Sequence, residues 1–213
     1  FSGDAGKINE GQKKYLQETY KASRKMVSLV NALLNVSRLE LGTFVVEPKP
    51  VAVVGVAKAC IEELKPQILE KKLIFREKYA PNIPLIPADP KLLTIVFQNL
   101  LSNGVKYTPA KGKIDLMIDK QKNDILITVA DTGLGIPKHQ QDKIFTKLFR
   151  ADNIREVDPG GSGLGLYIVK AILDHSGGKV WFKSEEKKGT TFYVSLPLSG
   201  MAEKEGTKQL TYG

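Results

Sequence analysis

NLLSNGVKYTP, residues 99–109, carries an unusual set of polar residues in a segment predicted to be helical. Two amides, a cation and an aromatic residue share one helix face at spacings i, i+4, i+7 and i+8: Asn99, Asn103, Lys106 and Tyr107. Because asparagine is a poor helix former, two of them on one face require a reason. Amide oxygens suit Mg²⁺, and a lysine suits phosphate. An ordinary solvent-facing helix surface is the alternative at this point.

The signals around this helix predict the rest of the fold. Asp89 and Pro90 predict its start, because aspartate caps helices and proline suits the first turn, and Pro109 predicts its end. Two strands and a helix are predicted upstream: 51–54, 73–79 and 58–71. A hairpin, a short helix, a longer helix and a final strand pair are predicted downstream: 113–119 with 124–131, 139–147, 164–175, and 179–185 with 190–196. The sum is an α/β fold, a two-layer sandwich of mixed β-sheet and helices.

Residues 12–41 are predicted to form one long α-helix that precedes the sandwich. Its apolar or small residues recur in steps of four and three, which is a heptad seam: Tyr15, Thr19, Ala22, Met26, Leu29, Leu33 and Val36. A second apolar stripe lies beside the seam: Leu16, Val30, Leu34 and Leu41. So wide an apolar face predicts partner helices, in a bundle or a dimer. Gly42 is the predicted C-cap.

The stiff stretch Glu47–Pro50 is the predicted domain boundary. It separates a helical part, residues 1–46, from a main domain, residues 47–199. Residues 200–213 are polar and are predicted to be a disordered tail. Because the chain opens with Phe1 rather than Met, we interpret it as a piece of a longer protein.

Composition and charge exclude several classes of function. The net charge is +9, but the lysines and arginines are scattered and not interleaved with exposed aromatic residues, which argues against nucleic-acid binding. The apolar runs are too short to span a membrane. The single cysteine, Cys60, is predicted to be buried and inert, and no internal disulfide is possible. These features favour a cytoplasmic location.

DTGLGIP, residues 131–137, directly follows a predicted strand. An aspartate at a strand end is able to accept a hydrogen bond from an exocyclic amine, and two glycines allow the backbone to close over a flat ring. A simple Asx or glycine turn is the alternative.

A glycine-rich loop is followed directly by a predicted helix N-terminus in residues 160–170, GGSGLGLYIVK. Free N–H groups and the helix dipole at such a terminus favour binding of an anion. It is neither a Walker loop nor a dinucleotide-binding fingerprint. Two weaker signals complete the set: IFTKLFR (144–150), a short apolar helix with two cations, and GTTF (189–192), a strand start with threonine hydroxyls.

These five motifs, in this order, resemble the ATP-binding domain of bacterial sensor histidine kinases. They are similar to the asparagine box, the first glycine box, the phenylalanine box, the second glycine box and the final glycine–threonine box of that family. NVSRLELG (35–42) resembles the second helix of the family's dimerisation and phosphotransfer hairpin. The resemblance covers about residues 12–197, and it implies the fold shared by histidine kinases, DNA gyrase and Hsp90.

The resemblance implies a role for each matching residue. Asn99, Asn103 and Lys106 are the implied catalytic residues, with Asn103 holding Mg²⁺ and Asn99 on the phosphate side. Lys106 and Arg150 would contact phosphates, and Asp131 would accept from the adenine amine. The other implied nucleotide-binding residues flank the ring or the phosphates: Tyr107, Gly133, Gly135, Gly161, Gly163, Leu164, Gly165 and Thr191. Residues 148–162 would form a flexible lid. The implied cofactors are ATP and Mg²⁺.

The chain departs from the family at two points. Its two histidines, His139 and His175, both lie outside the hairpin-like helix. The phospho-accepting histidine is therefore expected upstream of Phe1, and this piece alone is not expected to autophosphorylate. Lys187 stands where the last box often has a further glycine, with little expected effect on binding. Expected partners are a second copy through the N-terminal helix and a response-regulator receiver domain, within a parent for which inner-membrane anchoring stays open.

Three functions are weighed on these residues. The leading hypothesis is a kinase core that transfers the ATP γ-phosphoryl group to a hairpin histidine and thence to a regulator aspartate. A nucleotide-binding or dimerisation scaffold without catalysis is the second. A related ATPase is the third, and Asn99 argues against it, because related ATPases place a glutamate there and an amide is unable to act as a general base.

Overall fold

The structure, a computed structural model, describes residues 6, 8–158 and 160–211. Its helices are α1 Glu10–Glu40, α2 Val53–Glu70, α3 Pro90–Tyr107, α4 Asp152–Val157 and α5 Gly165–His175, with a 3₁₀ helix at Lys138–Lys143. Its strands are β1 Lys49–Val51, β2 Ile74–Tyr79, β3 Ile86–Ala88, β4 Lys113–Gln121, β5 Asp124–Asp131, β6 Lys179–Glu185 and β7 Gly189–Pro197.

The main sheet has five strands in the order β2-β4-β5-β7-β6. The β2–β4 pair is parallel and the other neighbours are antiparallel, so the sheet is mixed. Alternate residues of each strand point to one face, and on β4 the buried ones are Ile114, Leu116 and Ile118. Helices α2, α3 and α5 lie in one layer over this apolar face. The predicted two-layer α/β sandwich is confirmed.

Helix α3 forms as its sequence predicts. Asp89 caps its start, with one carboxylate oxygen accepting from the N–H groups of Lys91 at 2.9 Å and Leu92 at 3.3 Å, and Pro90 occupies the first turn. Most of its apolar side chains are buried in the core. This burial leaves the face that carries Asn99 and Asn103 turned toward a cavity.

The stretch 51–54, predicted as a strand, belongs to two elements. Val51 ends β1 and Val53 begins α2. The valines favour a strand locally. However, the buried residues continue at helical spacing from Val53 through α2, so the packing of this face against the core favours the helix. The partner of β1 is β3, which was not predicted because Pro87 lies in the middle of it, opposite Pro50.

The predicted short helix at 139–147 is a 3₁₀ helix that covers residues 138–143. Helix α4, within the predicted lid, was not foreseen. Both corrections concern short segments without a clear apolar period, for which sequence patterns carry little information.

Cys60 lies on the buried face of α2 and is 2% exposed. Burial, together with the nearby Glu63, raises the pKa of its thiol to about 11. The raised pKa favours the protonated thiol at neutral pH. The prediction that Cys60 is buried is confirmed.

Helix α1 ends in a Schellman motif at the predicted C-cap. Gly42 has φ +64°, its N–H donates to the carbonyl of Leu39, and the N–H of Thr43 donates to that of Arg38. The heptad seam of α1 is exposed over most of its length, for example at Tyr15 and Leu33. Within the part of the chain that the structure describes, no helix has the length and apolar character needed to cross a membrane.

Residues 200–211 are not a disordered tail, so that prediction was wrong for the described part; residues 212–213 lie outside it. We call Met201–Thr211 the C-terminal strap. Met201 and Leu210 are buried at 4% and 3% exposure, and the strap forms bridges with the linker after α1 at Val46 and Phe44. Because the strap is mostly polar, the sequence did not indicate that these two apolar residues are buried.

The strap joins the end of α1 to the sandwich. The side chain of Asn35, which is buried, donates to the Thr211 carbonyl at 2.6 Å and accepts from the Thr211 N–H at 3.0 Å. Arg38 donates to the carbonyl of Gln209 at 2.7 Å. These bonds pair buried polar groups that would otherwise be costly, so the last turns of α1 have a defined position against the sandwich.

We predict that Leu210→Ala lowers the free energy of unfolding by about 2 kcal/mol, because it removes a buried side chain and leaves a cavity. Urea unfolding measures the effect. Leu69→Ala is the matched control, since Leu69 is 68% exposed and its loss should change stability by less than about 0.5 kcal/mol. Equal effects of the two substitutions would show that the strap does not pack as described.

Candidate active site

A cavity of about 310 Å³ lies between α3, the start of α5 and the segment 148–162. We call the described residues of that segment, 148–158 and 160–162, the lid. Ten of the residues that the sequence analysis singled out line this cavity: Asn99, Asn103, Lys106, Tyr107, Asp131, Gly135, Arg150, Gly161, Gly163 and Gly165. The structure therefore brings together motifs that are up to 66 positions apart in the sequence, from residue 99 to residue 165.

Asp131 ends β5 at the inner end of the cavity. Its Oδ1 accepts from the N–H of Gly133 at 2.8 Å and from the N–H of Thr190 at 3.2 Å. Its Oδ2 has no hydrogen-bond partner among the described residues. Burial raises the pKa of the Asp131 carboxyl above its usual value, while the two backbone donors oppose the shift. The carboxylate is thus held rigidly with one oxygen available to a ligand.

Gly133 does not line the cavity, and its part is to hold Asp131. A Cβ atom at this position would lie 2.7 Å from Asp131 Oδ1 and 2.7 Å from the carbonyl oxygen of Tyr107. Any side chain would therefore push apart the aspartate and the end of α3. Gly133 therefore shapes the cavity by positioning Asp131, and its role in nucleotide binding stays a prediction.

Gly135 lines the cavity and packs against the turn between β6 and β7. It has φ +62°, and a Cβ there would lie 2.0 Å from the Glu185 carbonyl oxygen, so only glycine fits. The neighbouring Ile136 N–H donates to the Ser184 hydroxyl at 2.8 Å. Lys187, in the same turn, adopts φ +63°, a conformation that favours glycine.

Thr191 does not line the cavity, whereas Thr190 does. Thr190 pairs with Asp131 in the β5–β7 register, is buried and donates its N–H to that aspartate. Because side chains alternate along a strand, Thr191 faces the opposite side of the sheet. The motif alone does not fix which threonine points toward the cavity, and the nucleotide-binding role assigned to Thr191 stays a prediction.

Asn99 lies where α3 meets the start of α5. Its amide nitrogen donates to the Ile95 carbonyl of its own helix at 2.7 Å, which turns Oδ1 toward Gly165. A Cβ at Gly165 would lie 2.3 Å from that oxygen, so a side chain there would displace Asn99. The amide oxygen and the free N–H groups of α5 therefore share one end of the cavity.

The lid contributes Arg150 and Gly161 to the cavity wall, and Gly163, just after the lid, also lines it. Gly163 has φ +68°, and a Cβ there would lie 2.7 Å from the backbone of Leu148. Leu164 follows it and is 1% exposed, so it packs into the core and does not line the cavity. The predicted nucleotide-binding role of Leu164 stays a prediction.

An acidic residue that the sequence analysis did not single out lies among the predicted phosphate-binding residues. Asp158 forms ion pairs with Lys106 and Arg150 and is 17% exposed. Burial and the Asp158 charge raise the pKa of Tyr107 to about 12. No motif marks Asp158, so its position is visible only in three dimensions.

Helix α1 and the strap also reach the cavity. Ser28, Ala32 and Asn35 of α1 and Thr211 of the strap line one side of it. Near the same end, Glu40 of α1 pairs with Lys147 and accepts from the Tyr167 hydroxyl at 3.2 Å. The sequence analysis missed these residues, because it assigned α1 to a separate helical part.

The comparisons with known proteins identify the class of this domain. Residues 88–200 match the family described as "Histidine kinase-, DNA gyrase B-, and HSP90-like ATPase". The chain belongs to this family, and it contains an ATP-binding domain.

The named relatives are sensor histidine kinases. The chain is 29% identical over 200 residues to the circadian input-output histidine kinase CikA of Synechococcus elongatus, covering 93% of this chain and 26% of CikA. It is 31% identical over 194 residues to the sensor histidine kinase WalK of Bacillus subtilis, covering 90% of this chain and 32% of WalK. The chain therefore spans about a third or less of these two relatives.

Solved structures agree with this assignment. Full-length ShkA in complex with AMPPNP is 26% identical, with a TM-score of 0.79, over 94% of this chain and 42% of that one. The histidine kinase ThkA in complex with the response regulator protein TrrA shares the fold, with a TM-score of 0.70 at 22% identity, over 91% of this chain and 53% of that one. The predicted resemblance is confirmed at the level of the family.

We predict that Asp131→Asn weakens adenine-nucleotide binding about tenfold to a hundredfold, or roughly 1.5–3 kcal/mol. The amide would retain an acceptor for Gly133 and Thr190 but would present N–H groups in place of Oδ2. Titration calorimetry with ATP and GTP measures both affinity and the expected loss of selectivity.

Asp124→Asn is the matched control, since Asp124 lies at the other end of β5 and does not line the cavity. It should leave both affinities unchanged. An Asp131→Asn variant that binds ATP as the parent does would remove Asp131 from adenine recognition.

Proposed function

We propose that this chain is the catalytic core of a protein-histidine kinase. It binds Mg-ATP and transfers the γ-phosphoryl group to a histidine on a helical hairpin, from which the group passes to a response-regulator aspartate. The observation that carries the proposal is one cavity that joins an adenine-type acceptor, amide oxygens, two cations and a helix N-terminus beside the end of α1. The family membership and the named relatives support it.

At the inner end of the cavity, Asp131 supplies an acceptor for the exocyclic amine of adenine. Its position is fixed by two backbone donors, so little ordering is needed on binding. Gly135 and Ile136 provide a flat backbone and an apolar contact beside the ring. A guanine presents a carbonyl where adenine has its amine, so a fixed carboxylate oxygen there disfavours it.

At the other end, Lys106 and Arg150 supply positive charge for the phosphates. The N-terminus of α5, a helix of 11 residues, adds free N–H groups and the positive end of its dipole. The phosphates would then extend from Asp131 toward Gly165, along the face of α3.

The donor set fits Mg²⁺ held together with the nucleotide. Among the described residues, no group of three His, Cys, Asp or Glu side chains forms a metal site. Asn103 offers an amide oxygen in the cavity wall, with Asn99 beside it. Mg²⁺ commonly keeps several waters and shares its remaining positions between protein oxygens and phosphates. Bound there, it would neutralise charge on the transferred group.

The chemistry assigned to the chain is positioning and charge neutralisation. A histidine nitrogen forms a bond to the γ-phosphorus while the bond to the bridging oxygen of ADP breaks. Asn99 does not accept a proton from water, because its amide lacks a basic site. Slow hydrolysis preserves the phosphoryl group for the histidine acceptor.

The proposed partners follow from the exposed parts of the structure and from the relatives. The exposed apolar seam of α1 suits a second copy of the helical part. ThkA has been solved in complex with a response regulator protein. By analogy, a receiver domain is the proposed phosphoryl acceptor for this chain.

Mg²⁺ is expected to increase the affinity for ATP. We predict that Asn103→Ala makes this increase about tenfold smaller, because one metal ligand is lost. Calorimetry with and without Mg²⁺ measures it. Ser102→Ala is the control, since Ser102 also lines the cavity but its hydroxyl contacts the Asn99 carbonyl at 3.5 Å. An unchanged Mg²⁺ effect in Asn103→Ala would exclude this residue as the ligand.

The transfer step is tested on the protein extended upstream by the helix that carries the acceptor histidine. With Mg-ATP, acid-labile and alkali-stable phosphate should form on that histidine. ATP binding without phosphoprotein would favour the scaffold. Steady-state hydrolysis by this chain without any phosphoprotein would favour the related ATPase.

A further inference from the structure

Asp158 occupies the place where the proposed function requires phosphates. It lies at the end of α4 within the lid, where its N–H donates to the Ile154 carbonyl at 2.9 Å. Its carboxylate forms an ion pair with Lys106 and lies 3.4 Å from a guanidinium nitrogen of Arg150. Arg150 also donates to the Asp158 backbone carbonyl. One lid residue thus engages two cations that come from different elements.

The three charged groups form a partly enclosed cluster. The side chains of Arg150 and Asp158 are 12% and 17% exposed, and that of Lys106 is 45% exposed. Burial acts to raise the pKa of Asp158, but the hydrogen bond and charge of Lys106 and the charge of Arg150 lower it below its usual value. Asp158 is therefore ionised at neutral pH, and its charge offsets that of the two cations.

Lys106 and Arg150 are the side-chain cations that line the cavity within the described part of the chain. A carboxylate resembles a phosphate oxygen in charge and in the donors it accepts. A phosphate group and the Asp158 carboxylate therefore compete for the same two partners.

We propose that Asp158 is a phosphate-mimicking latch that holds the lid to α3 in the absence of nucleotide and sets the phosphate selectivity of the pocket. The inference deepens the proposed function and rests on it, because Lys106 and Arg150 must be phosphate ligands. Binding of ATP replaces one carboxylate by a polyphosphate of higher charge and frees the lid at Asp158. Adenosine has no phosphates, so it leaves the latch in place.

Neighbouring backbone geometry supports a latch in this position. A Cβ at Gly161 would lie 2.6 Å from Asp158 Oδ2 and 3.1 Å from Arg150, so the glycine allows the pair to form. Gly163, in the left-handed region at φ +68°, follows two residues later and gives a second conformationally permissive position between the lid and α5. Asp158 is therefore followed by glycines on the side that leads into α5.

The test is Asp158→Asn, titrated with ATP, ADP and adenosine. We expect ATP and ADP to bind about threefold to tenfold more tightly, because they no longer displace an ion pair. Adenosine affinity should stay the same. Asp158→Glu keeps the charge and should restore parental affinity for ATP.

Asp152→Asn is the matched control. Asp152 also lies in the lid and carries the same charge, but its carboxylate accepts from Gln140 at 2.6 Å and pairs with no described cation. It should bind all three ligands as the parent does. Thermal melting of each variant confirms that the comparison is made between folded proteins.

Unchanged or weaker ATP binding by a folded Asp158→Asn protein would overturn the latch, and so would an equal gain for adenosine. Absence of the proposed nucleotide site has a different signature, because the parent protein would then bind neither ATP nor adenosine, whereas loss of phosphoryl transfer alone would leave ATP binding and the latch comparison intact. A parent that binds both, with no difference between Asp158→Asn and Asp152→Asn, rejects the latch alone.

Discussion

The hydrogen bonds from the N–H groups of Gly133 and Thr190 to one oxygen of Asp131 are the interaction on which the rest of the site depends. They exist because β5 and β7 pair in a register that sets Asp131 opposite Thr190, and because the chain turns sharply at Gly133. A buried carboxylate is costly unless such donors meet it. One oxygen is satisfied internally, and the other has no hydrogen-bond partner among the described residues.

The packing of α3 determines the side of the cavity that this helix forms. Its apolar residues are buried against the sheet, so its polar face has one remaining direction, toward α5 and the lid. Asn99 and Gly165 are in such close contact that the start of α5 is positioned by the asparagine. The end of the cavity at Asp131 and the end at Gly165 are thereby set by elements of the same core. The lid, in contrast, is joined to α3 by the charges of Asp158, Lys106 and Arg150.

The strong local signals of the sequence predicted most of the fold. Asp89 and Pro90 gave the start of α3, and the alternating pattern gave the β4–β5 hairpin, because both signals depend on neighbouring residues alone. β3 was missed since its proline suppresses the strand pattern, although pairing with β1 forms it. The disordered tail was predicted from its mostly polar composition. That average does not reveal that Met201 and Leu210 are buried.

In the site, as in the fold, local sequence signals predicted some features, and contacts between distant residues determined the others. Residues inside motifs, such as Asn99 and Asp131, were placed in the cavity correctly, and their roles stay predictions. Thr191 was chosen over Thr190 because the inward face of a strand depends on its register with the next strand. Asp158 and Asn35 were missed because each meets the cavity through contacts with residues distant in sequence.

The central claim is that this chain holds a pocket built for an adenine nucleotide with Mg²⁺. Calorimetric titration of the unmodified chain with ATP and GTP, each with and without Mg²⁺, tests it most directly. The account predicts micromolar binding of ATP, tighter with Mg²⁺ and much weaker for GTP. Absence of ATP binding, or equal affinity for the two nucleotides, would contradict the account.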